Sequence, residues 1–198
     1  MRFDTIVLPS VLFALCLGAS AQSAPTAKRF GLDPSQNAVF EIGLDYTFFH
    51  ANAPPGQCGC FSLNGGGGTL MVNAPHGISL LADLSAAHAN NVDATTQNIT
   101  LFNYLAGPRY SYETSHRLTP YAEVLAGGST EHSNYTYVQD VSAFAASGGL
   151  GANIVVSKHI RWTILEGDYI YSRLPNNVNN RQNDLRLVSG IVFRFGSR

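Results

Sequence analysis

The sequence predicts an all-β protein, an eight-stranded antiparallel up-and-down β-barrel that crosses a membrane. Three observations carry that expectation. Residues Asp184 to Gly196 alternate strictly, with Leu185, Leu187, Ile191, Phe193 and Phe195 on one face, Ser189 alone breaking the row, and Arg186, Val188, Gly190, Val192 and Arg194 on the other. A strand with a wide apolar face and a charged face places the first against hydrocarbon or a core, and the second in water or a polar interior. The same alternation recurs along the chain, between connections that are in turn long and short. Past residue 21, no stretch approaches the roughly eighteen consecutive apolar residues of a spanning helix, so a crossing has to be made by strands closed into a barrel.

At the N-terminus, Arg2 precedes the apolar run Ile6 to Gly18, and Ala19-Ser20-Ala21 supplies small residues at the spacing signal peptidase requires. Residues 1–21 therefore read as a signal peptide cut after Ala21. The run is too short for a membrane anchor and carries Pro9, and bulky Leu15 before Cys16 argues against a lipoprotein. Residues 22–37, with Pro25, Lys28-Arg29 and Asp33-Pro34, show no core pattern and read as an exposed lead-in to a barrel domain over 38–198. Only 13% of the chain is charged, below the usual quarter for soluble domains. The formal charge of −1 survives loss of the signal peptide, because Arg2 and Asp4 leave together. No basic surplus argues for nucleic acid.

The strands follow in order. Strand one sets Phe40, Ile42, Leu44, Tyr46 and Phe48 against Glu41, Gly43, Asp45 and Thr47. Strand two, about Leu63 to Asn73, is poorly specified, because Gly65 to Gly68 carries no side chains and allows a register slip or a bulge. Strand three sets Ile78, Leu80, Ala82, Leu84 and Ala86 against Ser79, Leu81, Asp83 and Ser85; strand four sets Phe102, Tyr104, Ala106, Pro108 and Tyr110 against Asn103, Leu105, Gly107 and Arg109. Strand five opposes Ala122, Val124 and Ala126 to Tyr121, Glu123, Leu125 and Gly127, and strand six opposes Phe144, Ala146, Leu150, Ala152 and Ile154 to Ser147, Gly149, Gly151 and Asn153. Strand seven is bulky on both faces: unbroken alternation sets Thr163, Leu165, Tyr169 and Tyr171 outward, and Trp162, Ile164, Glu166, Asp168 and Ile170 inward.

Connections near 50–62, 88–97, 130–141 and 173–183 are long and polar, whereas Ala74 to Gly77, Glu113 to Leu118 and Val156 to His159 are tight. Short turns at one rim and long loops at the other are the layout of a bacterial outer-membrane barrel, with periplasmic turns and extracellular loops. A soluble lipocalin-like barrel would reverse the sidedness. The mid-strand charges decide against it, because Glu41, Asp45, Asp83, Glu123, Glu166, Asp168, Arg109, Arg186 and Arg194 all fall on the face opposite the apolar one. Hairpin counting sets Arg109 opposite Glu123, Arg186 opposite Asp168, and Arg194 beside Glu41 on the closing strand.

The chain resembles the small outer-membrane barrels typified by the transmembrane domain of outer membrane protein A. The resemblance rests on Ala106-Gly107-Pro108-Arg109-Tyr110-Ser111-Tyr112, on Pro120-Tyr121-Ala122-Glu123-Val124 and on Gly190-Ile191-Val192-Phe193-Arg194-Phe195, and covers about residues 38–196. It implies residence in the cell outer membrane among its lipids. It also implies that Phe195, with Leu187, Ile191 and Phe193, forms the signal read by the barrel assembly machinery.

An eight-stranded barrel is just wide enough for its own side chains. The expected role is therefore structural or surface-interacting, around a polar interior filled by those charges. The alternatives are a narrow gated pore whose salt bridges exchange partners, an adhesin using its Tyr- and Asn-rich loops on an unknown extracellular ligand, and a lipid-modifying enzyme. His132-Ser133 with Glu131 and Asp140 offers catalytic residue types, but adjacent residues on a loop rarely hold a nucleophile against its base. No catalytic residue, metal site or cofactor is expected, since the six histidines lack ligand spacing. Cys58 and Cys60 suit a small loop disulfide outside the cytoplasm, with free thiols and metal binding as the other readings.

Overall fold

The computed structural model describes residues 39–51, 61–92, 97–112, 117–134, 140–175 and 181–196. The expected signal peptide and lead-in, and Cys58 with Cys60, lie outside the described residues. Eight strands, β1 (Phe40–Ala51), β2 (Phe61–Asn73), β3 (Ile78–Ala89), β4 (Ile99–Ser111), β5 (Leu118–Ser133), β6 (Val141–Val155), β7 (Ile160–Ser172) and β8 (Gln182–Phe195), form a closed antiparallel barrel in sequence order. β8 closes onto β1 from Phe40 opposite Phe195 to His50 opposite Leu185. Closure pairs every strand on both edges, as hydrocarbon demands of backbone polar groups that water cannot reach.

Alternation then sorts the side chains. Leu44, Leu80, Leu84, Val124, Leu150, Leu165 and Ile191 stand exposed on the outer wall, while Glu41, Asp83, Arg109, Glu123, Glu166, Asp168, Arg186 and Arg194 are buried inside. Such an inversion of the soluble pattern is stable only where lipid covers the outside. Phe40 and Phe195 meet at the turn rim with ring centroids 6.3 Å apart, which fixes the closing seam.

Two departures from the expected pattern have physical causes. The glycine run in β2 pairs without a break, from Asp45 opposite Gly67 to Gly67 opposite Ser85, so no slip or bulge occurs there. The side chains of both flanking strands hold the register that the glycines leave unspecified. The irregularity lies in β7 instead. Its pairing skips Ile164 against β6, and both Ile164 and Leu165 against β8, the signature of a β-bulge. The extra residue reverses the alternation: Arg161 and Thr163 are buried inside, and Trp162 is exposed outside, so the inward placement of Trp162 and the outward placement of Thr163 are corrected. Ser189 fastens the bulge by donating to the Thr163 carbonyl at 3.0 Å and accepting from Trp162 Nε1 at 3.3 Å. The serine that interrupts the apolar row of β8 thus has a backbone partner in the wall.

The β2–β3 turn contains Pro75–Gly77, where His76 (φ 66°) and Gly77 (φ 75°) are both left-handed. A side chain at Gly77 would also run into the Ser111 carbonyl, so glycine is required there on two counts.

Candidate functional site

The site is the barrel interior, which is layered. Nearest the turn rim, one carboxylate sits between two guanidiniums: Glu41 Oε1 is 3.1 Å from Arg161 Nη1 and 3.3 Å from Arg194 Nε. Asn73 Nδ2 donates to the same oxygen at 3.1 Å. β1, β2, β7 and β8 are thereby tied through one atom.

In the middle, four carboxylates surround two guanidiniums. Arg109 Nε donates to Glu123 Oε2 at 2.5 Å, and its Nη2 to Glu166 Oε2 at 3.0 Å. Tyr121 donates its hydroxyl to Glu166 Oε2, and its ring lies 4.0 Å beneath the Arg109 guanidinium. Arg186 donates through Nη1 to Asp83 at 2.7 Å and through Nε to Asp168 at 2.7 Å, with Nη2 3.5 Å from Glu166 Oε1. Glu166 therefore joins the two arginines, one through each oxygen. Gly149 makes room for this arrangement, because a Cβ there would collide with Asp168 Oδ1. Buried charges are tolerated when paired and hydrogen-bonded, and removing one partner strands the other at a cost of several kcal/mol. Asp45 has no ion-pair partner within 4.0 Å among the described residues and instead lines a cavity of about 20 Å³ with Arg109, Thr163 and Glu166, room for a single water.

Above these layers, towards the loop rim, the interior holds an apolar cluster beside inward polar groups, among them buried Ser129, Ser172 and Asp184 and Glu131, which accepts from Gln182. Phe49, Leu63, Ile99, Leu101 and Ile170 pack with Val92 and Leu174, two residues from the connections that follow β3 and β7. The interior is thus not polar throughout.

Of the expected interior charges, Glu41, Asp83, Arg109, Glu123, Glu166, Asp168, Arg186 and Arg194 sit in these two networks, and Asp45 stands beside them. Arg161 and Tyr121 belong to the networks without having been singled out in the sequence. Tyr121 was legible from its parity with Glu123; Arg161 was masked by the bulge, which set it on the wrong face. On β8, Ile191, Phe193 and Phe195 face outward and Leu187 is partly covered on the same row.

One oxygen from each of Glu123, Glu166 and Asp168 lies within 4.8 Å of the others, but Arg109 and Arg186 already supply the positive charge that a cation would bring. His132 Nδ1 is 2.7 Å from Asp140, yet Ser133 accepts from Gln97. Consecutive strand residues project to opposite faces, so His132 cannot serve Ser133 as a base.

The family model described as "Outer membrane protein beta-barrel domain" matches residues 10–194. Among solved structures, Neisserial surface protein A is similar with a TM-score of 0.66 at 15% identity, over 80% of this chain and 98% of that one. Ail, the attachment invasion locus protein of Yersinia pestis, has a TM-score of 0.57 at 12% identity, over 80% of this chain and 99% of that one. The outer membrane protein OprG of Pseudomonas aeruginosa has a TM-score of 0.53 at 12% identity, over 82% and 98% of the two chains. No curated protein matches the chain in sequence. A closed barrel with a lipid-facing outside and a charged inside, matched along nearly its whole length, makes this chain a member of the outer-membrane β-barrel family, resident in the outer membrane.

Proposed function

We propose that the protein is a non-conducting outer-membrane scaffold that presents its loops as an interaction surface. The observation that carries this reading is the apolar layer of Phe49, Leu63, Ile99, Leu101, Ile170 and Leu174 across the loop end of the interior, stacked on two paired charge layers. An ion entering from the loop side has to pass this apolar cluster, beside which Glu131, Ser172 and Asp184 are inward polar groups, and below it every arginine is already held by carboxylates. The connecting segments 52–60, 90–98, 134–140 and 173–181 contain two Asp, two Arg, two Tyr and nine Asn, a composition suited to uncharged protein or glycan contacts rather than to a polyanion. A gated path is the competing reading, supported by Glu166, which could pass one arginine to the other. It requires the apolar layer to open as well.

Planar-bilayer recording on the refolded protein tests the proposal. The expected trace shows no discrete steps, and Leu174→Asp should introduce them by wetting the layer. Regular openings in the unmodified protein would favour the gated path.

A further inference from the structure

The outer wall carries a feature that neither the interior nor the family explains. Three of the four strands that run towards the loops end on an outward histidine: His50 is the penultimate residue of β1, His88 of β3 and His132 of β5, while β7 has Tyr171 there. Registry sets them in one belt with small polar residues, His50 opposite Ser62, Asn64 opposite His88, and Thr100 opposite both His88 and His132. Their height is defined by the strands. His50 stands ten residues beyond Phe40, and His88 ten beyond Ile78, with apolar residues at most outward positions between. About nine to eleven residues of tilted strand cross the hydrocarbon. The belt therefore lies where acyl chains give way to headgroups on the loop side.

No Lys, Arg, Asp or Glu of β1–β6 faces outward among the described residues, so beside these strands the described groups with charge to offer are this belt and Asp140 at the foot of β6. His50 Nδ1 approaches Ser62 at 3.4 Å, and His132 Nδ1 holds Asp140 at 2.7 Å. In both rings Nε2 has no protein partner among the described residues. His88 spends both nitrogens internally, on Thr100 at 2.7 Å and Asn90 at 2.8 Å, and so orders the belt between the other two. Among the described residues Asp140 is the one charged side chain against the belt; Ser62, Thr100 and Asn90 face the remaining rings. An imidazole protonated on both nitrogens is a charge-assisted donor well matched to a phosphate oxygen.

We propose that this belt docks phosphate-bearing lipid headgroups of the loop-side leaflet, with His50 and His132 as the direct donors through Nε2. The surface is continuous with the lipid-facing wall, and a headgroup is the occupant that the wall's own lipids deliver to that height.

The test is native mass spectrometry of the protein in an uncharged detergent at about pH 6, titrated with short-chain phosphatidic acid or phosphatidylcholine. Phosphatidic acid should bind in preference, and the paired substitution His50→Phe with His132→Phe should weaken it roughly a hundredfold, the loss of two charge-assisted hydrogen bonds at about tenfold each. Phenylalanine keeps an interfacial ring and removes the donors, so the compact unboiled band should persist. Should the double variant fail to refold, His50→Phe alone must weaken binding. Unchanged phosphatidic acid binding in the variant would overturn the proposal and assign the lipid to the turn rim. Full displacement by equimolar inorganic phosphate would overturn it too, because the belt would then recognise the ion and not a headgroup.

Discussion

Glu166 is the residue on which most of the interior turns, because its two oxygens reach Arg109 and Arg186, and Tyr121 donates to it as well. Interactions of this kind are cooperative, so their removal is felt asymmetrically. Arg109→Ala should destabilise the barrel by about 3–5 kcal/mol, most of it the cost of leaving Glu123 and Glu166 buried without their cation. Adding Glu123→Gln to that variant should restore part of the loss. Urea unfolding in lipid vesicles checks both, and an unchanged midpoint for Arg109→Ala would count against a buried pair. These opposed positions were readable from hairpin spacing alone, since a tight turn leaves only one register in which both charges face inward. The tyrosine beneath Arg109 shares the parity of Glu123, and only its ring hid that it belongs among the charges.

At the scale of the element, β7 and β2 show where pattern reading succeeds and where it fails. β2 offered little contrast of its own, yet its neighbours impose the register through Asp45 on one side and Ser85 on the other. β7 offered bulk on both faces, so Trp162 and Ile164 looked equivalent and the alternation had nothing to lock onto. The bulge resolves the conflict by letting Arg161 and Glu166 both point inward despite their odd separation. Deleting Ile164 should therefore be tolerated, because Arg161 and Glu166 then stand four residues apart and unbroken alternation keeps both inward, with Trp162 still outward. Retention of the boiling-dependent mobility shift in the deletion variant is the expected outcome. Loss of the shift would show that the strand needs its extra residue to keep its pairing with β6 and β8.

For the molecule as a whole, the barrel class and the sidedness were legible because lipid and a charged interior produce the strongest contrast a strand can carry. The apolar layer at the loop end was less so. Phe49, Leu63 and Leu101 have inward parity in the sequence, but Val92 and Leu174 come from connections, where no periodicity announces their direction. The consequence is a barrel lined by paired charges over most of its depth, with an apolar cluster at its outer mouth.

Apolar side chains face lipid and charges face inward, with the bulge reversing the order in β7. Trp162 is the chain's single tryptophan and lies on the outer wall one residue from buried Arg161 and Thr163. Its fluorescence after refolding into vesicles whose acyl chains carry bromine reports that placement directly. Strong quenching relative to unbrominated vesicles is the result expected here. Emission that bromine leaves untouched in a folded protein would place Trp162 inside the barrel, as unbroken alternation requires, and would contradict both the bulge and the sidedness built on it.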